Sequence, residues 1–324
     1  MTDKHDTAID NVAIIGAGTM GHALALVHAL GGCQVRLTDN SAHQLEQAPA
    51  LIEAALDTLI DAGSFASQDK AEVLSRITTR DTLAATASGA QLIIEAVVED
   101  RDVKRTVYQA LDESAPEDAI IASNTSYLDI FPLLPERRLP HALITHWYTP
   151  PYIIDLVDLA PGPATMPEIM QTLQAMYSGF GKQPVVFASM LPGYVANRLQ
   201  AALGLEIFHL LDEGLVSAED IDKSIMHGLS LRMVTLGYFK KADFTGLDMM
   251  RRALANQTYT PPPVRDHSDS LDRLIEQGRT GVMAGAGFYD YAGKSAVELF
   301  RERDIKLLKL KSAWQKIEQT EGNS

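Results

Sequence analysis

The sequence predicts a doubly wound, mostly parallel α/β sheet followed by an all-α C-terminal domain. Three observations carry this expectation. Short runs of β-branched residues alternate with helical stretches through the first half, a glycine-rich turn joins the first run to its helix, and strand-forming segments almost vanish after about Ser189. Strands that alternate with helices imply a parallel sheet covered on both faces. A chain of 324 residues is long for one hydrophobic core, so two domains are expected, residues 1–189 and 190–324.

The elements follow in order. NVAIIGAG reads as a strand and a turn, and Thr19–Leu30 as the helix after it. CQVRLTD is a second strand, and Ser41–Ala62 is a long helical stretch with Ser41 as its N-cap. QLIIEAV and AIIASN are two further strands, separated by the helix Asp102–Glu113, and ALITHWY, IIDLVDL and PVVFA complete the β-rich half. Beyond Gly193 the character changes. Val195–Gly214 is a helix that is apolar nearly all round, through Leu199, Leu203, Ile207 and Leu211, which predicts burial in a helical domain or a subunit interface. SAEDID opens another helix with a serine N-cap and an acidic first turn. GFYDY is a short strand, and Val297–Glu318 is a charged amphipathic helix.

Composition narrows the function. With 46% apolar and 22% charged residues the chain is of ordinary globular type. A net charge of −14 argues against nucleic acid and against anionic membrane surfaces as partners. Small anions stay open, because a few local cations or backbone N–H groups bind those. Cys33 is the only cysteine, so no internal disulfide forms. The start, MTDKHDTAID, has no apolar signal core, and no run approaches the ~20 apolar residues of a membrane span. A cytoplasmic protein is expected.

Gly16-Ala17-Gly18-Thr19-Met20-Gly21 is a G-x-G-x-x-G between a strand and a helix. Its glycines permit a tight turn, a close approach of pyrophosphate to the backbone, and close helix–strand packing, with the helix N-terminus facing the phosphates. The second strand ends in Asp39, 18 residues after Gly21, where a carboxylate accepts from ribose hydroxyls and repels a 2′-phosphate. NAD is therefore the expected cofactor in a Rossmann-type domain, and hydride transfer the expected chemistry. Oxidation of an alcohol also needs a base, and histidine suits neutral pH.

The segments IIEAVVEDRDVKRTVYQALD, IIASNTSYLDI, THWYTPPYIIDLVDL and LPGYVANRLQ stand in an order that, with GAGTMG, resembles the L-3-hydroxyacyl-CoA dehydrogenase family over nearly the whole chain. The resemblance is closer to the branch that contains λ-crystallin (gulonate 3-dehydrogenase) and carnitine dehydrogenase. It implies His146 as catalytic base, Asp158 in the place of the paired glutamate, Ser126 touching nicotinamide and substrate, and Asn197 orienting the substrate carbonyl. It also implies Ala96, Glu99 and Lys104 on the nicotinamide-ribose side, and a homodimer. Alternation along IIDLVDL puts Ile154, Leu156 and Asp158 on one face and Asp155 on the other. The chain departs from the family at Asp158, one methylene shorter than glutamate, and at Thr149, where an asparagine is usual.

Two substrate classes follow. Between Ser41 and Asp100 the basic residues are Lys70, Arg76 and Arg80, against ten acids, a poor lining for the phosphates of CoA. Arg232, in HGLSLRMVTLG, matches an arginine of the branch using free carboxylated substrates, and a guanidinium binds a carboxylate in bidentate fashion. A free carboxylated 3-hydroxy acid is expected ahead of a short-chain acyl-CoA. A non-catalytic, crystallin-like NAD-binding protein is the third reading.

Overall fold

The computed structural model describes residues 9–256, 258–291 and 293–321. The chain divides between Tyr194 and Val195 into two compact units. In the first, eight strands form one sheet: β1 (Asn11–Ile15), β2 (Gln34–Thr38), β3 (Ile77–Thr79), β4 (Leu92–Glu95), β5 (Ile120–Ser123), β6 (Ala142–Trp147), β7 (Leu156–Pro161) and β8 (Gln183–Val186). Their order across the sheet is β3-β2-β1-β4-β5-β6-β7-β8. Every pairing is parallel except that of β6 with β7. Residues of β4 and β5 are buried throughout, as expected of central strands covered on both faces.

The connecting helices are α1 (Gly21–Leu30), α2 (Ala42–Asp61), α3 (Lys70–Ser75), α4 (Leu83–Ala87), α5 (Arg101–Ser114) and α6 (Pro167–Gly179). Ser41 caps α2, its hydroxyl accepting the Gln44 N–H, and Asp100 caps α5 by accepting the amides of Asp102 and Val103, both at 2.9 Å. At the other end of α5 the buried Arg138 donates to the carbonyls of Asp112 and Ala115, both at 3.0 Å, and to the Asp112 carboxylate at 2.9 Å. One guanidinium thus satisfies carbonyls that a helix C-terminus leaves unpaired.

Two boundaries differ from the sequence expectation. Strand β3 was not expected, because Ile77–Thr79 is a short, largely exposed edge with no apolar period. The run IIDLVDL becomes strand only from Leu156 onward. Before it, Ile153 and Ile154 donate back to the Pro150 carbonyl at 3.0 and 2.9 Å, making a turn. Lys182, nearly buried, donates to the carbonyls of Pro151 (2.7 Å) and Ile154 (3.1 Å) and pins that turn to the start of β8.

The second unit is helical: α7 (Tyr194–Asp212, whose first residue still belongs to the first unit), α8 (Ala218–Lys223), α9 (Leu231–Leu236), α10 (Phe239–Thr245), α11 (Leu247–Leu254), α12 (Asp269–Glu276) and α13 (Ala296–Glu321). GFYDY is not a strand: only its Asp290 takes part in an isolated bridge, with Ala286, which also bridges Gly281. The expected burial of α7 is not found in the single chain, where Val195, Leu199 and Leu203 are exposed. Phe239, Phe244 and Leu254 are each more than 80% exposed, and Ile221, Ala242 and Leu308 are the buried apolar residues of this unit among those described. Among the described residues no helix is long and apolar enough to cross a membrane.

On the face of β6 turned away from His146, the wholly buried His28 of α1 packs edge-on against Trp147, Tyr177 and Phe180. Burial pushes its pKa down to about 4, opposed by its bond to the Leu24 carbonyl and assisted by the Lys182 charge. The unfolded chain takes up this proton below about pH 6.5, while the native chain resists until about 4. Stability present above pH 6.5 is therefore lost as pH falls through this window, by about 3 kcal/mol from this one group. Urea unfolding of wild type and His28→Gln measured from pH 7 to 4 checks it: the difference between the two curves narrows toward acid.

Candidate active site

The carboxyl ends of the parallel strands share one edge of the sheet, and β1 and β4 flank the point where the chain reverses its direction of winding, where such sheets bind ligands. The glycine loop follows β1 there. Gly16 adopts φ +103°, and a Cβ on it would meet the Ala96 carbonyl oxygen at 2.6 Å. A Cβ on Gly21 would run into the Gly16 carbonyl, so helix and turn close only on glycine. Above Gly18, by contrast, nothing lies within 4 Å of a built Cβ. The amides of Thr19 and Met20 lie just ahead of α1 and that of Gly21 opens it, at a helix N-terminus that leaves such amides without intrahelical partners. Asp39 accepts the Ala17 amide at 2.6 Å and the Ser41 amide at 2.7 Å, one on each carboxylate oxygen, which leaves lone pairs for ribose hydroxyls. Open space above a bare backbone, a helix N-terminus and a fixed carboxylate fit a dinucleotide.

Farther along the same edge the antiparallel register of β6 and β7 sets His146 directly opposite Asp158. Both are almost wholly buried. His146 Nδ1 donates to Asp158 Oδ2 at 3.2 Å, since a carboxylate only accepts, and Nε2 is left to accept the Ser126 hydroxyl at 3.2 Å. The imidazole is sandwiched. Tyr194 stacks on it with centroids 4.5 Å apart, and Tyr148 meets it edge-on at 4.6 Å. Tyr148 also donates its hydroxyl to Asp158 Oδ2 at 2.6 Å. Burial, together with the Asp158 and Glu99 carboxylates, pushes the Tyr194 phenol far above its usual range, so a neutral ring lies on the histidine.

Tyr194 holds a left-handed backbone at φ +46° without being glycine. Its hydroxyl donates to the Thr125 carbonyl at 2.9 Å, and the Gly193 amide donates to the Ser126 carbonyl at 2.9 Å. These bonds fasten the strained turn to the loop that carries Ser126.

That loop is held from below by carboxylates. Glu99 Oε1 accepts the Thr125 hydroxyl (2.7 Å) and the amides of Ser126 and Tyr127 (both 2.9 Å). Burial works to raise the Glu99 pKa, but these bonds and the Lys104 charge outweigh it and hold the carboxyl below its ordinary value. Lys104 is itself buried, 2.6 Å from Glu95 and 3.4 Å from Glu99. Glu95, fully buried, also accepts the hydroxyls of Tyr108 (2.7 Å) and Ser123 (2.6 Å) and the Val97 amide (2.9 Å). A buried carboxylate with this many donors and a cation is fully satisfied.

Of the residues expected from sequence, the structure brings Ser126, His146 and Asp158 into one hydrogen-bonded chain, with Glu99 bracing it and Lys104 beneath. Gly16, Gly18, Thr19, Met20, Gly21, Asp39 and Ala96 gather at the neighbouring strand ends. Thr149 links the two groups, its hydroxyl donating to Met20 Sδ at 3.1 Å. Asp155 turns elsewhere, toward Lys182 at 3.5 Å. Asn197, in the first turn of α7, and Arg232, in α9, belong to the second unit. Arg232 is exposed and its Nε donates to the Gly228 carbonyl at 2.8 Å. Sequence reasoning missed Glu95, Tyr148 and Tyr194. All three lie within the motif segments, and a polar residue inside an apolar strand run, as at Glu95, was the available signal.

Comparison with known proteins agrees with this architecture. The NAD-binding-domain model of 3-hydroxyacyl-CoA dehydrogenase matches residues 11–190, and its C-terminal-domain model matches residues 193–291. The 5-formyl-3-hydroxy-2-methylpyridine 4-carboxylate 5-dehydrogenase of Mesorhizobium japonicum is 30% identical, over 93% of this chain and 96% of its own. The 3-hydroxybutyryl-CoA dehydrogenase of Bradyrhizobium diazoefficiens is 32% identical, over 89% and 98%, and rabbit (Oryctolagus cuniculus) lambda-crystallin is 32% identical over 71% and 73%. A crystal structure of a dehydrogenase of the same pyridine carboxylate, described as an NAD+ dependent dismutase, superposes with a TM-score of 0.84 at 27% identity, over 95% of this chain and 99% of that one. The chain belongs to the 3-hydroxyacyl-CoA dehydrogenase family and is an NAD-dependent oxidoreductase acting on CH–OH.

Proposed function

We propose that the chain oxidises the 3-hydroxyl of a free, carboxylated 3-hydroxy acid, with His146 as general base. The observation that carries the reading is the chain of bonds from Ser126 through His146 to Asp158 at the sheet edge that also holds the glycine loop. Gly16, Gly18, Thr19, Met20 and Gly21 hold the pyrophosphate, Asp39 the adenosine ribose, and Ala96, Glu99 and Lys104 border the nicotinamide ribose. Bound NAD supplies the acceptor for the hydride that leaves the hydroxyl carbon. His146 Nε2 takes the hydroxyl proton, for which the substrate oxygen replaces Ser126 as the hydrogen-bond donor. Asp158 keeps the proton of the resting imidazole on Nδ1 and stabilises the imidazolium once Nε2 is protonated. The Ser126 hydroxyl stabilises charge on the reacting oxygen, and the family resemblance is what assigns the Asn197 amide to the substrate. Burial of His146 and Asp158 keeps competing water from that exchange.

The substrate class rests on charge. Lys70 is engaged by Glu53 (2.9 Å) and Asp57 (2.6 Å), and Arg76 by Glu72 (2.6 Å), which leaves few cations along that segment for CoA phosphates. Within the second unit the Arg232 guanidinium meets no carboxylate among the described residues, so it is available to one on a substrate. The relative from Mesorhizobium is named for a free pyridine carboxylate, which fits the same class. A short-chain acyl-CoA is the second reading, favoured by the relatives named 3-hydroxybutyryl-CoA dehydrogenase.

NADH formation across free 3-hydroxy acids and 3-hydroxybutyryl-CoA tests this. Turnover is expected on a free acid, with KM raised roughly 50-fold in Arg232→Ala and kcat little changed. Turnover confined to the CoA thioester, indifferent to Arg232, would establish the second reading instead.

The second unit is proposed to pair with another copy of this chain. Support comes from its exposed Leu199, Phe239, Phe244 and Leu254, an apolar surface of a kind monomeric proteins seldom leave in water. Light scattering after gel filtration is expected to give twice the 35.3 kDa chain mass; a monomer at micromolar concentration would contradict it.

A further inference from the structure

Tyr148 stands in an unusual relation to the base. It follows β6, two residues beyond His146, and its ring is half-buried against the imidazole edge. Its hydroxyl donates to Asp158 Oδ2 at 2.6 Å, the same oxygen that receives His146 Nδ1 at 3.2 Å. The tyrosine bond is thus the short one and the histidine bond the long one. An aspartate has a single methylene between backbone and carboxylate, so at a fixed cross-strand register it reaches the imidazole only at that longer distance. A carboxylate held by one long bond is free to rotate about χ2 and to offer either oxygen. A second, shorter donor on Oδ2 removes that freedom and leaves Oδ2 facing Nδ1.

We propose that Tyr148 is a positioning residue for this reaction, acting through Asp158: its hydroxyl fixes the carboxylate oxygen that sets the tautomer and orientation of His146. The inference rests on the reading of His146 as base. It adds that the orienting unit is an aspartate and a tyrosine together, with the tyrosine supplying by hydrogen bonding what the short side chain lacks in reach. Around Asp158 stand His146 and Tyr148 from the β6 end and the neutral Tyr194, the first residue of α7, whose phenol also feels the Glu99 carboxylate. Tyr148 and His146 both lie within hydrogen-bond distance of Asp158.

Tyr148→Phe keeps the ring and its edge contact and removes only the donor. In full-length protein, kcat for NADH formation on the free 3-hydroxy acid turned over fastest is expected to fall about tenfold, with KM for NAD unchanged within about twofold. In an Asp158→Asn background the same substitution is expected to cost less than about twofold, because the acceptor through which it acts is gone. A readout independent of turnover is the imidazole 15N spectrum. Wild type is expected to show His146 with Nδ1 protonated and Nε2 bare, and Tyr148→Phe to show averaged tautomers, at a melting temperature close to wild type. An unchanged tautomer and unchanged kcat in Tyr148→Phe would overturn the proposal, as would an equal loss in the Asp158→Asn background. If His146→Gln kept full turnover, the base reading would fail, while the 15N spectra would still decide whether Tyr148 orients the pair.

Discussion

The antiparallel pairing of β6 with β7 is the constraint on which this architecture turns. In a wholly parallel sheet all strand ends of one kind lie along one edge, and the nearest partner to the end of a strand is the end of the next. One reversed strand changes that. The end of β6 meets the beginning of β7, so two residues 12 apart in sequence become cross-strand neighbours at the ligand-binding edge. Register in a sheet with both faces covered is strongly specified, because a slip of one residue would move every side chain to the opposite face. His146 and Asp158 therefore inherit their mutual geometry from the backbone, with side-chain bonds only refining it. Nucleotide loop and base are brought to one edge by the same sheet, and Thr149 on Met20 is where they touch.

Beneath this pair lies a second layer of order made of charge that is buried at Glu95 and Lys104 and reaches solvent at Glu99. Glu95, Lys104 and Glu99 form a line from a strand end, through the first turns of α5, to the loop of Ser126. Glu95 and Lys104 are buried, and removing water from such a pair is costly and tolerated only when each group is fully bonded, whereas Glu99 keeps part of its side chain in solvent. Here Glu95 is met by an ammonium, two hydroxyls and an amide, and Glu99 by a hydroxyl and several amides. What this arrangement secures is position. The loop of Ser126 is anchored in the core at Ile130, and the Glu99 carboxylate holds its polar stretch from Thr125 to Tyr127. The strained Tyr194 is held in the same manner, by bonds to the loop on one side and stacking on the imidazole on the other.

Much of this was legible in the sequence, for reasons that differ by residue. The glycine loop and Asp39 announce themselves because each answers a steric or electrostatic demand that few residue types meet. His146 and Asp158 were found through motif order and through strand alternation. Alternation pointed to Asp158, the carboxylate that the register sets opposite His146, although β7 begins only at Leu156 and Asp155 belongs to the preceding turn, occupied with Lys182. Tyr148 and Tyr194 were not legible. A tyrosine at a strand end reads as packing, and its donor role depends on a neighbour 10 residues away across a turn, or on a loop 69 residues away. Strand β3 escaped because an exposed edge carries no apolar period. The apolar character of α7 predicted burial, but one chain leaves Val195, Leu199 and Leu203 exposed, since composition does not say what covers a face.

The central claim is that His146 takes the proton and leaves cofactor binding to the glycine loop and Asp39. His146→Gln separates the two directly. Calorimetric titration with NAD and initial-rate NADH formation on the same preparation are expected to show affinity within about twofold of wild type and turnover lowered by about a thousandfold. Retention of turnover within about tenfold of wild type, at unchanged NAD affinity, would contradict the account and move the base to another residue.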